Sequence, residues 1–143
     1  MNIEKNFHEK LADQLTKHEG LRLKPYHCPA GKLTIGIGRN LEDKGITEKE
    51  AVMLLENDIQ ECIEDLKNIF RDFDLLPESV RRVLVDMRLN LGPNRFRKFK
   101  KMIRGVKDQN FTQAAAEMKD SLWYTQVGQR ARTLVKMMSE PDA

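Results

Sequence analysis

Three residues near the start of the chain are of types that acid–base chemistry could use: Glu19, then eight residues, Cys28, then five residues, Thr34. Glu19 directly precedes Gly20, a natural left-handed helix stop, which places the glutamate in the last turn of a helix. There the negative end of the helix dipole disfavours an ionised carboxylate, where stability alone would select Lys or Arg. That is the direction a general acid working near neutral pH requires. Thr34 offers a hydroxyl able to hold a water molecule. Cys28 sits in a turn, where a cysteine is easier to justify as reactive than as core filler. Singly, each has a plainer reading: a solvated glutamate, a β-former and an incidental thiol.

The elements that must position these groups follow from periodicity. Ile3, Phe7, Leu11 and Leu15 recur at helical spacing and predict a first helix over residues 3–18. From Leu21 the pattern alternates, Pro29-Ala30-Gly31 supplies a turn, and "KLTIGIG" resumes as a strand. In that strand Ile35 and Ile37 share one face, with Thr34, Gly36 and Gly38 on the other. Thr47 and Glu50 form a capping box that opens a helix over about 48–70. Its buried stripe is expected to hold Leu55, Ile59, Cys62, Ile63, Leu66, Ile69 and Phe70, with Cys62 a small core residue. A segment from Pro77 stops at Gly92-Pro93, and further helices are expected at about 95–104, 110–119 and 126–138. The fold class is α+β, with a small antiparallel sheet near the N-terminus and a helical C-terminal part.

With 143 residues, 40% hydrophobic and 33% charged, the chain fits one domain built as two small lobes. No apolar run approaches the roughly 20 residues of a membrane span. "MNIEKNFHEKLADQ" lacks the apolar core of a secretory signal. Two cysteines make no disulfide scaffold, and the scattered His8, His18 and His27 give no metal-ligand set. Neither a metal nor a cofactor is expected. The net charge of +3 favours a polyanionic partner. Six cations, Arg95, Arg97, Lys98, Lys100, Lys101 and Arg104, crowd "RFRKFKKMIRG". They read as a solvated helix face or as a contact for an anionic surface.

The stretch "EGLRLKPYHCPAGKLTIGIG" resembles the signature of the phage-type lysozymes, the endolysins related to the T-even phage lysozyme. "GITEKEAVMLLENDI", "SVRRVLVDM" with "LNLG", and "AAAEMKDSLWYTQVGQRARTLV" are similar to that family's interlobe helix, central helix and Trp-containing segment. The likeness spans roughly residues 8–135. It implies a lysozyme-like domain over 1–143, with lobes of about 12–58 and 71–143 joined by helix 48–70, the N-terminal helix belonging to the second. Glu19, Cys28 and Thr34 fall on the family's catalytic positions, with Cys28 at the one where the signature carries Asp or Cys and the best-known member has aspartate. Asn40, Leu89, Met102, Glu117 and Arg130 are the substrate-binding positions it implies, most of them aligned more loosely, and Trp123 and Arg130 match positions of the Trp-containing segment. Arg39 stands where a histidine in the best-known member pairs with an aspartate of the interlobe helix, here Asp58. An Arg39–Asp58 pair would keep that clasp without a group titrating near neutral pH.

The resemblance implies a muramidase that cleaves the β-1,4 bond between N-acetylmuramic acid and N-acetylglucosamine, with inversion. It would accumulate in the host cytoplasm, reach peptidoglycan after a holin permeabilises the membrane, and act as a monomer with no nucleic-acid partner. Cys28 leaves a retaining, nucleophilic variant open. Two rivals are a basic nucleic-acid-binding module and a lysozyme-fold wall binder without catalysis. The first leaves the hairpin without a task, and the second is opposed by the intact Glu19.

Overall fold

The computed structural model describes residues 4–142, so Ile3 of the expected first stripe lies outside the described residues. The chain divides into two compact units, one reaching Val52 and the other starting at Met53. The order of elements confirms an α+β, lysozyme-like fold with one small antiparallel sheet.

The first unit begins with α1 (Phe7–Glu19), capped by the Asn6 side chain, which accepts from the Glu9 N–H at 2.9 Å. Gly20 ends it with φ +76°, leaving Glu19 as the last helical residue, as its position before glycine suggested. No residue of α1 is buried, and Phe7 is 73% exposed. The sheet that follows is too small to cover a helical stripe, since Thr34 is the one buried residue among those described in this unit.

Strands β1 (Arg22–His27), β2 (Leu33–Gly36) and β3 (Arg39–Asn40) pair antiparallel in that order. Tyr26 faces Thr34 and His27 faces Leu33, and a bulge lies between Arg22 and Tyr26. Thr34 also faces Asn40, and Ile35 faces Arg39. The expected strand through Gly38 stops at Gly36, because Ile37 and Gly38 make the two-residue turn into β3. The alternation of faces therefore ends at Gly36.

Helix α2 (Glu48–Ile69) opens on the expected capping box. The Thr47 N–H donates to Glu50 Oε1 at 2.9 Å, and the Glu50 N–H donates to Thr47 Oγ1 at 3.1 Å. Cys62 and Leu66 are buried on this helix, with Phe70 just beyond its end, while Leu55 is 47% exposed.

The second unit holds the apolar core. After a short 3₁₀ turn at Phe73–Leu75 come α3 (Glu78–Arg97), α4 (Lys100–Lys107), α5 (Phe111–Lys119), α6 (Leu122–Val127) and α7 (Gln129–Ser139). Helix α3 breaks at Gly92, whose φ of +81° interrupts the helix where Gly92-Pro93 predicts a stop. Leu66, Leu84, Met87, Phe96, Met118 and Met138 are among the core's buried side chains. The basic run straddles the junction at Lys98-Phe99 instead of forming one helix over 95–104. Helix α6 was not expected, and Gly128 divides the predicted 126–138 segment.

One ion cluster locks α2 to α3. Asp65 Oδ2 accepts from Arg88 Nε at 2.7 Å and from Arg97 Nη1 at 2.9 Å, while Oδ1 accepts from Arg97 Nη2 at 2.6 Å. The two guanidiniums, Arg97 foremost, hold the Asp65 carboxyl down to about 2, against burial that pushes it up. Arg88 is 7% exposed, so loss of its partner would leave a buried charge uncompensated. Asp65→Asn is expected to lower stability at neutral pH by roughly 1–3 kcal/mol. Because the folded carboxyl is depressed, the contribution is complete above the ordinary carboxylate range and fades as pH falls from about 4 towards 2. Denaturant melts of both proteins across that range should converge at the acid end.

Candidate active site

The β1–β2 turn brings two of the three predicted groups together. The Cys28 N–H donates to the Lys32 carbonyl at 2.9 Å, and the Gly31 N–H donates to the Cys28 carbonyl at 2.7 Å. Thr34 Oγ1 donates to the Lys32 carbonyl at 2.8 Å, so its oxygen lone pairs stay open to a further donor. Cys28 is half-buried, and its thiol is held below its ordinary value. The Lys32 backbone contributes most to this, followed by a smaller opposing effect of burial and then by the Ala30 backbone and the Thr34 hydroxyl. The single Thr34 proton serves either the carbonyl or the sulfur, so ionisation of Cys28 would draw it towards Sγ.

Glu19 lies exposed at the end of α1, with its carboxylate against the backbone of Gly38. The first unit thus holds two contacting groupings, Cys28 with Thr34 and Glu19 with Gly38.

Within the first unit Arg39 Nη1 donates to Glu50 Oε1 at 2.7 Å and to the Gly45 carbonyl at 3.3 Å. Glu50 stands in the first turn of α2, the helical turn next to β3 in the chain, and the capping box turns its carboxylate back to the Thr47 N–H. Arg39, together with the Thr47 N–H and hydroxyl, holds the Glu50 carboxyl down to about 2.

The loosely aligned positions have assorted surroundings. Asn40 is spent on its own turn, donating to Asp43 Oδ2 and accepting from the Asp43 N–H, both at 3.0 Å. Met102 is turned into the core by α4 together with Val106, and it lines a cavity of about 530 Å³ beside that helix. Glu117 is half-buried and accepts from Gln113 Nε2 at 2.9 Å. Leu89 and Arg130 line a cavity of about 690 Å³, in which Arg130 Nε donates to Asp86 at 2.7 Å. Trp123 is buried, donates to Asn90 Oδ1 at 2.9 Å and meets the Phe99 ring edge-on.

The cavity of about 530 Å³ is rimmed by Arg95, Lys98, Lys100 and Lys101 together with Glu117 and Asp120. Sequence reasoning placed the cations on one helix, as a solvated face or a contact for an anionic surface. The break after α3 instead gathers four of them around a concavity, while Arg97 turns away to Asp65.

The phage lysozyme family model matches residues 16–139. The chain is 25% identical to "Probable T4-type lysozyme 2" of Dictyostelium discoideum, an alignment covering 89% of this chain and 92% of that protein. It is 27% identical to the pre-baseplate central spike protein Gp5 of Enterobacteria phage T4, over 85% of this chain and 26% of that protein. A third relative, "Peptidoglycan hydrolase gp36" of Pseudomonas phage phiKMV, is 23% identical over 88% of this chain and 15% of its own length. The chain belongs to the phage lysozyme family, and with it to the glycoside hydrolases.

The contrast between the two thiols gives a direct test. Burial pushes the Cys62 thiol up, while the turn around Cys28 pulls its thiol down. Iodoacetamide on the native protein should therefore label Cys28 and spare Cys62, as peptide mass mapping would record.

Proposed function

We propose that the protein is an endolysin-type muramidase, hydrolysing the β-1,4 bond between N-acetylmuramic acid and N-acetylglucosamine in peptidoglycan. The observation that carries this reading is the grouping of Cys28, in the β1–β2 turn, with Thr34 of β2 in a phage lysozyme family member, Cys28 standing nine residues after a glutamate that ends α1. Glu19 gives its proton to the glycosidic oxygen as the bond from the anomeric carbon breaks. Thr34 and Cys28 hold a water whose oxygen attacks that carbon from the opposite face. The Cys28 thiolate takes the proton the water gives up, and the product is inverted.

The reading extends to host lysis: accumulation in the host cytoplasm, access to the wall after a holin permeabilises the membrane, and action as a monomer. No helix among the described residues is long and apolar enough to cross a membrane. The cations Arg95, Lys98, Lys100 and Lys101 around the 530 Å³ cavity support contact with an anionic wall or headgroup surface.

Glu19→Gln keeps the volume of the side chain and removes its proton. It should keep the melting temperature of the wild type and lose nearly all clearing of outer-membrane-stripped Gram-negative cells. Equal clearing by both proteins would overturn the muramidase reading.

Cys28 adds a pH signature. A thiolate base makes activity rise with pH as the thiol ionises, below the ordinary thiol range because the turn depresses it. Cys28→Asp should stay active and carry that limb down towards about pH 4, the carboxylate range. An unchanged profile in Cys28→Asp would show that Cys28 does not act as the base.

A further inference from the structure

Two glycines of the β2–β3 region share one backbone conformation and differ in one contact. Gly36 and Gly38 both have φ +71°, where any L side chain is strained. A Cβ placed on Gly36 would meet nothing within 4 Å. A Cβ placed on Gly38 would stand 2.7 Å from Glu19 Oε2, 2.9 Å from its Cδ and 3.0 Å from its Cγ, closer than packed atoms approach. Backbone conformation alone therefore accounts for glycine at 36. At 38 the space a side chain would fill is already taken by the end of Glu19.

We infer that Gly38 is a positioning residue for Glu19: the missing side chain leaves the slot in which the carboxylate rests. This rests on the reading of Glu19 as the general acid. The slot belongs to the turn Ile37-Gly38, and that turn is held by the pairing of Ile35 with Arg39 and of Thr34 with Asn40. The same two pairings seat Thr34, so one hairpin sets both the resting place of the acid and the hydroxyl proposed to hold the water. Glu19 is exposed, and the crowded atoms are the far end of a flexible side chain. A methyl group at 38 would thus push the carboxylate aside and leave the turn folded. Displacing a reacting group by about 1 Å costs on the order of 100-fold in rate.

The experiment compares Gly38→Ala, Gly36→Ala and Glu19→Gln with wild type, measuring kcat and KM on soluble peptidoglycan fragments, the melting temperature, and the carboxyl ¹³C resonance of Glu19. Both alanine variants should lose similar melting temperature, since they share the backbone strain. Gly38→Ala should lower kcat by roughly 100-fold with little change in KM, and shift the Glu19 resonance. Gly36→Ala should show a far smaller fall in kcat and leave the resonance in place. Equal kcat losses in the two alanine variants would overturn the inference, as would a collapse of melting temperature confined to Gly38→Ala. Should Glu19→Gln abolish turnover while Gly38→Ala keeps it, the positioning role alone fails. Should Glu19→Gln remain active, the general-acid reading fails and takes this inference with it.

Discussion

A single carboxylate, that of Glu50, ties the sheet to the start of the long helix. Its Oε1 accepts from the Thr47 N–H and from Arg39 Nη1, while its own N–H donates to Thr47 Oγ1. The first set of bonds caps α2, and the Arg39 bond anchors β3 to that cap. β3 is only two residues long, and alone it would contribute little. Anchored, it fixes the register in which Thr34 faces Asn40 and the tight turn that carries Gly38. The Arg39 and Thr47 bonds hold the Glu50 carboxyl down to about 2, so this attachment is complete above the ordinary carboxylate range and fades as pH falls from about 4 towards 2. An arginine keeps its charge throughout, whereas a histidine in its place would titrate near 6.5.

The two units divide labour along physical lines. The first is poor in buried apolar surface and rich in hydrogen-bonded turns, and it holds Glu19, Cys28 and Thr34. The second buries a continuous core of leucine, valine, methionine and aromatic side chains. Burial of apolar area supplies most folding free energy, so stability resides mainly in the second unit. The groups proposed for catalysis then stand at a helix end, in a turn and on a short strand, where local hydrogen bonds and glycines set the geometry.

Much of this was legible in the sequence where the signal is local. The Thr47–Glu50 capping box, the stop at Gly92-Pro93 and the burial of Cys62 each follow from a few neighbouring residues. What escaped depended on register or on length. Alternation in "KLTIGIG" continues through Ile37 and Gly38, and periodicity alone does not reveal where a strand turns back. The Arg39–Glu50 bond joins residues eleven apart, and the capping box that marked Glu50 did not show that its carboxylate would also meet β3. Six-residue α6 is too short for a periodic stripe, and its signals were the Ser121 hydroxyl accepting from the Tyr124 N–H and Gly128 at its end. The approach of Glu19 to Gly38 is a through-space contact that no spacing rule contains.

The central claim, that this chain cleaves the muramic acid side of the glycan repeat, is tested most directly by the reducing ends it releases. Purified peptidoglycan digested with the wild-type enzyme, reduced with borohydride and hydrolysed to its sugars should yield N-acetylmuramitol. Recovery of N-acetylglucosaminitol instead, or of no new reduced sugar, would contradict the account.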